Sequence, residues 1–282
     1  MSRLRKALLR SASRLRTTAE NSGATVPATE TNVEATRELS VPDSAVVSHV
    51  HYDDGLMKVF GRNVDSLLEG RFVEAYATGM ASGHQFRWGT GQTVDMPWRV
   101  YMACWAASHA LNVPGDFVEC GVHTGLLSLA ICKYVDFNAT GKSFYLFDTF
   151  SGIPEEQMTE TERPGRIAEN EEYYRRDVYD LAVQNFAPYP RAHLIRGKVP
   201  EALGEVQIEN VSYLSLDMNI VAPEVAAIEF FWPQLSPAAV VLLDDYGWYE
   251  HREQKAGIDG FAARKGVPIA TLPTGQGLLI KP

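Results

Sequence analysis

Three carboxylates give the first chemical signal in this sequence. The apolar run "VSYLSLDMN" (211–219) ends on Asp217, and "AAVVLLDDYG" (238–247) ends on Asp244 and Asp245. If the two runs are neighbouring parallel strands, their tips lie side by side on the ligand face of the sheet and the three acids converge. Carboxylates that close do not all stay ionised without compensation, and a hard divalent cation with oxygen ligands supplies it. Mg2+, partly hydrated and therefore able to accept substrate oxygens, is the expected occupant. The bland alternative makes Asp244 and Asp245 loop or helix-capping acids.

A second constellation lies upstream in "ECGVHTGLLSLAICKYV" (119–135). Glu119 ends an apolar run, and Gly121 and Gly125 follow before a helical stretch. Glycines let a backbone turn tightly and approach a ligand, and a helix N-terminus favours an anionic group. His123, Thr124 and Ser128 fall on the same loop and first helical turn. The spacing E-x-G-x-x-x-G departs from the three-glycine dinucleotide fingerprint, which counts against an NAD-dependent oxidoreductase. The next run, "SFYLFDTF", carries Asp148 near its end, where an acid can accept hydrogen bonds from ribose hydroxyls. Together these residues point to an adenosine-containing cofactor; a tight turn at the glycines and a capping role for Asp148 are the structural alternatives.

Positioning these groups requires a particular scaffold. From Gly115 onward, "DFVECGV", "SFYLFDTF", "RAHLIRG", "VSYLSLDM" and "AAVVLLDDYG" are short apolar runs separated by segments of helical character. That alternation predicts a doubly wound, mostly parallel α/β sheet. Two late runs, "VPIATL" and "GLLIKP", flank the turn-rich "PTGQ" and predict a terminal antiparallel hairpin, giving seven strands. Ahead of the sheet, "SLLEGRFVEAYATGMA" and "VDMPWRVYMACWAASHALN" predict two helices. The expected division is therefore a basic segment and linker over 1–45, a helical layer over 46–114 and the α/β domain over 115–282. The helical layer also offers a surface for a homo-oligomer.

Composition narrows the class. The 282 residues are 45% hydrophobic and 22% charged, which is ordinary for a globular protein. No apolar run reaches the roughly 18 to 20 residues that span a bilayer, so a soluble protein is expected. Cys104, Cys120 and Cys132 lack metal-like spacing and sit in apolar surroundings, as in a reduced, cytoplasmic protein. Residues 1–16 hold six Lys or Arg and no acid, leaving 35 acids against 20 bases elsewhere. So acidic a body is a poor binder of nucleic acid. For the basic N-terminus three readings stand open: a solvated tail, a helix for a membrane surface or protein partner, or an organelle-targeting peptide.

The motifs "PGDFVECGVHTG", "YLFDTFSGIPEE", "YLSLDMN" and "LSPAAVVLLDDYGW", in this order, resemble the family of the macrocin and mycinamicin O-methyltransferases, which includes a novobiocin-pathway sugar methyltransferase. The resemblance runs from about Pro97 to Pro282. It implies a class I methyltransferase fold, S-adenosylmethionine as methyl donor, Mg2+, and a hydroxyl of a sugar or glycan as acceptor. By motif position, Glu119, Gly121 and Gly125 would line the cofactor loop, Asp148 would hold the ribose, and Asp217, Asp244 and Asp245 would bind the metal. The family typically reads D-G-D where this chain reads "DMN", so Asn219 stands in place of the proposed general base. An amide takes no proton at neutral pH. A catechol-type Lys is also absent, its position being Ile220.

Which group then receives the proton? His251, just past the Asp pair, is the first candidate because imidazole titrates near neutral pH, with Asp217 beside it as the other catalytic residue and His123 as the second proton acceptor. The polar segment 151–178 reads either as a lid over the acceptor or as a solvated loop followed by a helix. Trp248 is expected to touch the acceptor, whereas Trp88, Trp98, Trp105 and Trp232 are expected to pack. The missing base also leaves room for a non-catalytic, cofactor-binding or regulatory protein.

Overall fold

The computed structural model describes residues 50–53, 57–84, 94–174 and 176–282. The basic segment, the linker over 17–45, Trp88 with its Gly-rich stretch, and Arg175 lie outside the described residues. The chain divides into two compact units at Asp65 and Ser66. In the first, β1 (Val50–Asp53) and β2 (Lys58–Phe60) pair antiparallel.

The second unit holds α1 (Gly70–Met80), α2 (Pro97–Ala110), β3 (Asp116–Cys120), α3 (Leu126–Tyr134), β4 (Phe144–Asp148), α4 (Arg163–Glu169), α5 (Tyr179–Phe186), β5 (Ala192–Arg196), β6 (Val211–Leu216), α6 (Val221–Phe231), β7 (Leu235–Leu243), α7 (Arg252–Lys265), β8 (Ala270–Thr271) and β9 (Gly277–Ile280). Its seven strands lie in the order β5-β4-β3-β6-β7-β9-β8. β3 to β7 are parallel, and β9 runs antiparallel between β7 and β8. This is the seven-stranded, mostly parallel sheet with a terminal antiparallel hairpin that the sequence predicts.

The central strands are mostly apolar because helices cover both faces of the sheet, with Glu119, Ser212 and Ser215 as buried polar exceptions. Every residue of β6 is buried, and β3 is buried from Phe117 to Cys120. A core of Val118, Phe147, Leu214, Ile228, Phe231, Val241 and Phe261 joins the sheet to α6 and α7. On α1, Phe72, Val73, Ala75, Tyr76 and Gly79 form one buried face. Gly79 is small of necessity, since a Cβ there would lie 2.4 Å from the Leu126 carbonyl oxygen at the start of α3. α2 begins with Pro at its first position, whose fixed φ suits a helix start, and buries Ala103, Cys104, Ala106, Ala107 and Ala110. All three cysteines are free and buried. Trp232 packs against the core, whereas Trp105 is 40% exposed and stacks on His109, one helical turn away on the outer face of α2. None of the described helices is long and apolar enough to cross a membrane.

Candidate active site

Strand register brings the acids together. Cys120 of β3 pairs with Leu216 of β6, and Leu216 pairs with Leu243 of β7. One residue further on, Gly121, Asp217 and Asp244 therefore lie in a row, still laddered by Asp217 N to Cys120 O (2.8 Å) and Asp244 N to Leu216 O (2.9 Å). Oxygens of Asp217, Asp244 and Asp245 all lie within 4.8 Å of one another.

A positive group already sits in this cluster. Arg99, in the first turn of α2, donates through Nη2 to Asp244 Oδ2, to the Asp244 carbonyl (3.2 Å) and to Asp245 Oδ1 (2.8 Å). Gln276, fully buried, donates to Asp244 Oδ1 (2.8 Å) and to the Arg99 carbonyl (3.3 Å), tying β9 to both. Asp245 Oδ2 is buried without a hydrogen-bond partner. Burial, then Asp244 and Asp245, raises the Asp217 carboxyl well above its ordinary range. Burial also acts on Asp245, but the nearby His251, Arg99 and Arg166 outweigh it and hold that acid low.

The loops at these strand tips are conformationally unusual. His123 (φ 51°), Phe150 (φ 54°) and Asn219 (φ 63°) are left-handed non-glycine residues, one after each of β3, β4 and β6. Such strained positions gather at functional sites. Gly121 has φ 91°, and a Cβ there would lie 1.9 Å from the Asp217 carbonyl oxygen. Its absence of a side chain is thus dictated by the neighbouring strand as well as by any ligand.

Asp148 ends β4 and turns its carboxylate back onto the loops. Oδ2 accepts the amides of Val122 (2.6 Å) and His123 (2.8 Å), and Oδ1 accepts that of Phe150 (2.6 Å). With a longer bond from the Thr149 hydroxyl to Oδ1 (3.4 Å), the protein itself takes up all of its about four lone-pair sites, so Asp148 fixes the loop after β3 directly. Thr124 and Ser128 are buried; Thr124 shares a hydrogen bond with Ser82 (3.0 Å), and Asn185 holds the carbonyls of both. Glu119 is 1% exposed with Oε2 unpartnered. Burial lifts its pKa to about 8, with Ser128 opposing and Asp244 and Asp148 adding. His123 lies edge-on to His84 and Tyr174, both ring nitrogens buried and unpartnered, and burial lowers its pKa.

His251 stands at the start of α7. Its Nδ1 lies 3.6 Å from Asp245 Oδ2 and bonds Gln254 Oε1. Gln254 Nε2 donates to Glu224 Oε1 (2.7 Å), which also accepts the Met218 amide (3.1 Å). That orientation makes the Gln254 oxygen an acceptor, so Nδ1 carries the proton and Nε2 the lone pair. Nε2 in turn faces the Arg166 guanidinium at 3.1 Å, and Arg166 pairs with Glu169 at 2.9 Å. Burial raises Glu169 to about 7 against the pull of Arg166.

Arg166 and Glu169 belong to the polar segment after β4, which is folded across the strand tips. It contains α4 and a single π-helical turn, Asn170–Tyr174. Glu162 accepts the Val221 amide at 2.7 Å, Thr159 bonds Glu253, and Ile153 and Met158 cluster with Ile220. The segment thus holds a helix tied to the loops at the strand tips, while most of its described residues remain partly or fully exposed. Trp248 lies beside the cluster, with the Arg99 guanidinium carbon 5.7 Å from its ring. Arg99, Gln276, Arg166, Glu169 and the Glu224–Gln254 pair escaped the sequence reading. Only Arg99 carried any signal, as a charge in the first turn of an otherwise small and apolar helix.

The sequence profile of the macrocin O-methyltransferase (TylF) family matches residues 99–271. Among solved structures, the O-methyltransferase NovP is similar at 19% identity over 65% of this chain and 79% of that one, with a TM-score of 0.57. The calicheamicin methyltransferase CalS11 follows at 20% identity over 64% and 77%, TM-score 0.48. The SAH-bound Podospora anserina methyltransferase PaMTH1 aligns at 14% identity over 80% and 99%, TM-score 0.44. No curated protein sequence matches the chain. The match to well over half of the chain, on a sheet shared with NovP, makes this protein an O-methyltransferase and a member of the macrocin O-methyltransferase family.

Proposed function

We propose that the protein transfers a methyl group from S-adenosylmethionine to a hydroxyl of a sugar-containing acceptor, with Mg2+ bound at Asp217, Asp244 and Asp245. The observation that carries this reading is the convergence of the three acids. Their oxygens lie within 4.8 Å of one another, and the Arg99 guanidinium pairs with only two of them, Asp244 and Asp245. The unpartnered Asp245 Oδ2 and the elevated Asp217 are the groups such an ion would satisfy. The sugar class of acceptor comes from the family resemblance. Three buried free cysteines support a cytoplasmic setting.

When bound, S-adenosylmethionine supplies the methyl group, and Mg2+ lowers the pKa of a coordinated hydroxyl and fixes its place. The chain's own residues do the rest. Glu119 Oε2 and the two ring nitrogens of His123 are unpartnered polar atoms at the cofactor loop and suit the polar groups of the donor. Asp148 holds the Val122 and His123 amides so that this loop keeps its shape. His251 Nε2 receives the acceptor's proton once the acceptor hydroxyl takes the place of Arg166, while Gln254 keeps the proton on Nδ1.

The test is methyl transfer to a panel of sugar nucleotides and glycosides, with S-adenosylhomocysteine binding by calorimetry in Mg2+ and in EDTA. Transfer that is abolished by EDTA and restored by Mg2+ is expected. Undiminished turnover in EDTA refutes the metal, and tight cofactor binding without transfer to any hydroxyl acceptor refutes the acceptor class.

A further inference from the structure

We propose that Arg99 is a permanent counter-charge built into the acid cluster, which lets Asp244 and Asp245 fold side by side before any cation arrives. This inference rests on reading the cluster as a cation site, and it assigns the protein a second, covalently fixed cation there. Arg99 has a 16% exposed side chain, and its partners Asp244 and Asp245 are 4% and 7% exposed. Two buried carboxylates on consecutive residues, with Asp217 beside them, would otherwise force proton uptake or drive the strand tips apart. A guanidinium suits the task because it stays charged at any working pH and its planar fork of N–H groups reaches several oxygens at once.

The surroundings show that the position is prepared. Pro97 starts the helix two residues earlier, and Gln276 grips the Arg99 backbone carbonyl and Asp244 Oδ1 together. Trp248 borders the guanidinium. The next cation, Arg166, pairs with Glu169 and His251 and makes no hydrogen bond to the cluster. His251 and Arg166 act on Asp245 as well, but Arg99 alone of these cations bonds both Asp244 and Asp245.

The experiment compares thermal midpoints of the full chain in EDTA and in Mn2+ for the wild type, Arg99→Met, Arg99→Lys and the double variant Arg99→Met/Asp245→Asn. The wild type is expected to be stable in EDTA. Arg99→Met should melt roughly 5 °C or more lower in EDTA, given about 2 to 4 °C per kcal/mol for a unit of this size. Mn2+ should recover most of that loss, and Lys should recover part of it in EDTA. In the double variant, removal of one acid should also restore the midpoint in EDTA. A merely structural loss of the arginine side chain would not be repaired by taking away a further charge. An Arg99→Met midpoint equal to wild type in EDTA, or a double variant no more stable than the single, overturns the proposal. Should Arg99→Met fail to fold, the double variant, expected to fold, still decides it. If the wild type binds no Mn2+ the metal reading falls, while the EDTA arm continues to test Arg99.

Discussion

Replacing Gly121 by Ala tests whether the cofactor loop and the acid cluster are one mechanical object. An alanine Cβ at this position would lie 1.9 Å from the Asp217 carbonyl oxygen and 2.4 Å from its carbonyl carbon, so the Asp217 backbone must retreat by about 1 Å to reach even 3.0 Å. The obstacle is main chain of the adjoining strand and has no rotamer to change. Alanine at φ 91° adds strain of roughly 1 to 2 kcal/mol. The displaced Asp217 N to Cys120 O hydrogen bond adds about 1 kcal/mol. The sum, roughly 2 to 3 kcal/mol, corresponds to a midpoint lowered by about 5 to 10 °C. Because Asp217 carries a carboxylate of the cluster, an ångström of displacement should also cost about a hundredfold in turnover. Gly125→Ala is the control: its φ is 95°, but the Cβ would meet the ring of Phe186, a side chain that can yield. Thermal midpoints and methyl-transfer rates of both variants check the reasoning. Equal turnover losses in the two, or an unaltered midpoint in Gly121→Ala, would refute it.

Glu119→Gln should flatten the pH dependence of stability. In the fold Glu119 is raised from 4.5 to about 8, so it keeps its proton at neutral pH while the unfolded chain loses its own near 4.5. The stabilisation is complete below that lower value and is lost as pH rises towards 8, at up to about 1.4 kcal/mol per unit. Glu224, raised to about 8, Glu169, raised to about 7, and Asp217, raised well above its ordinary range, shift the same way through burial, so the variant should remove only a part of the decline in urea midpoint between pH 5 and 8. Asp148→Asn places an NH2 against one of three amide donors, and should weaken S-adenosylhomocysteine binding at least tenfold by calorimetry, at about 1 to 3 kcal/mol of stability. His251→Ala should lower turnover roughly a hundredfold or more with little change in that affinity; near-normal rates would remove it from the proton-accepting role.

The sheet was legible because its physics is local. Buried strands flanked by helices must be apolar along their whole length, and the reversed β9 announces itself through the Pro-Thr-Gly-Gln turn. The acids were legible for a related reason, since a carboxylate directly after such a run can lie only at a strand tip. What compensates them was not, because Arg99 reaches Asp244 across 145 residues of chain and a helical Arg ordinarily marks a solvated face. Asp148 was legible as a strand-end acid, yet its turn towards three amides depends on loops whose left-handed residues, His123 and Phe150, carry no compositional mark. The hydrogen-bonded path from Met218 through Glu224 and Gln254 to His251 joins two segments, 218–224 and 251–254, and its link between Glu224 and Gln254 is encoded by no spacing.

Asn219 has φ 63°, a backbone setting that few residues other than Gly, Asn and Asp occupy without strain. The position therefore draws on a very small alphabet, and the two polar members of it differ only in whether they can take up a proton. Since the resemblance puts an aspartate there in related sugar methyltransferases, exchange between the two would alter chemistry while leaving the main chain as it is. At this position the chain differs from that pattern by a change its backbone does not register. Proton handling there can be altered without cost to the fold.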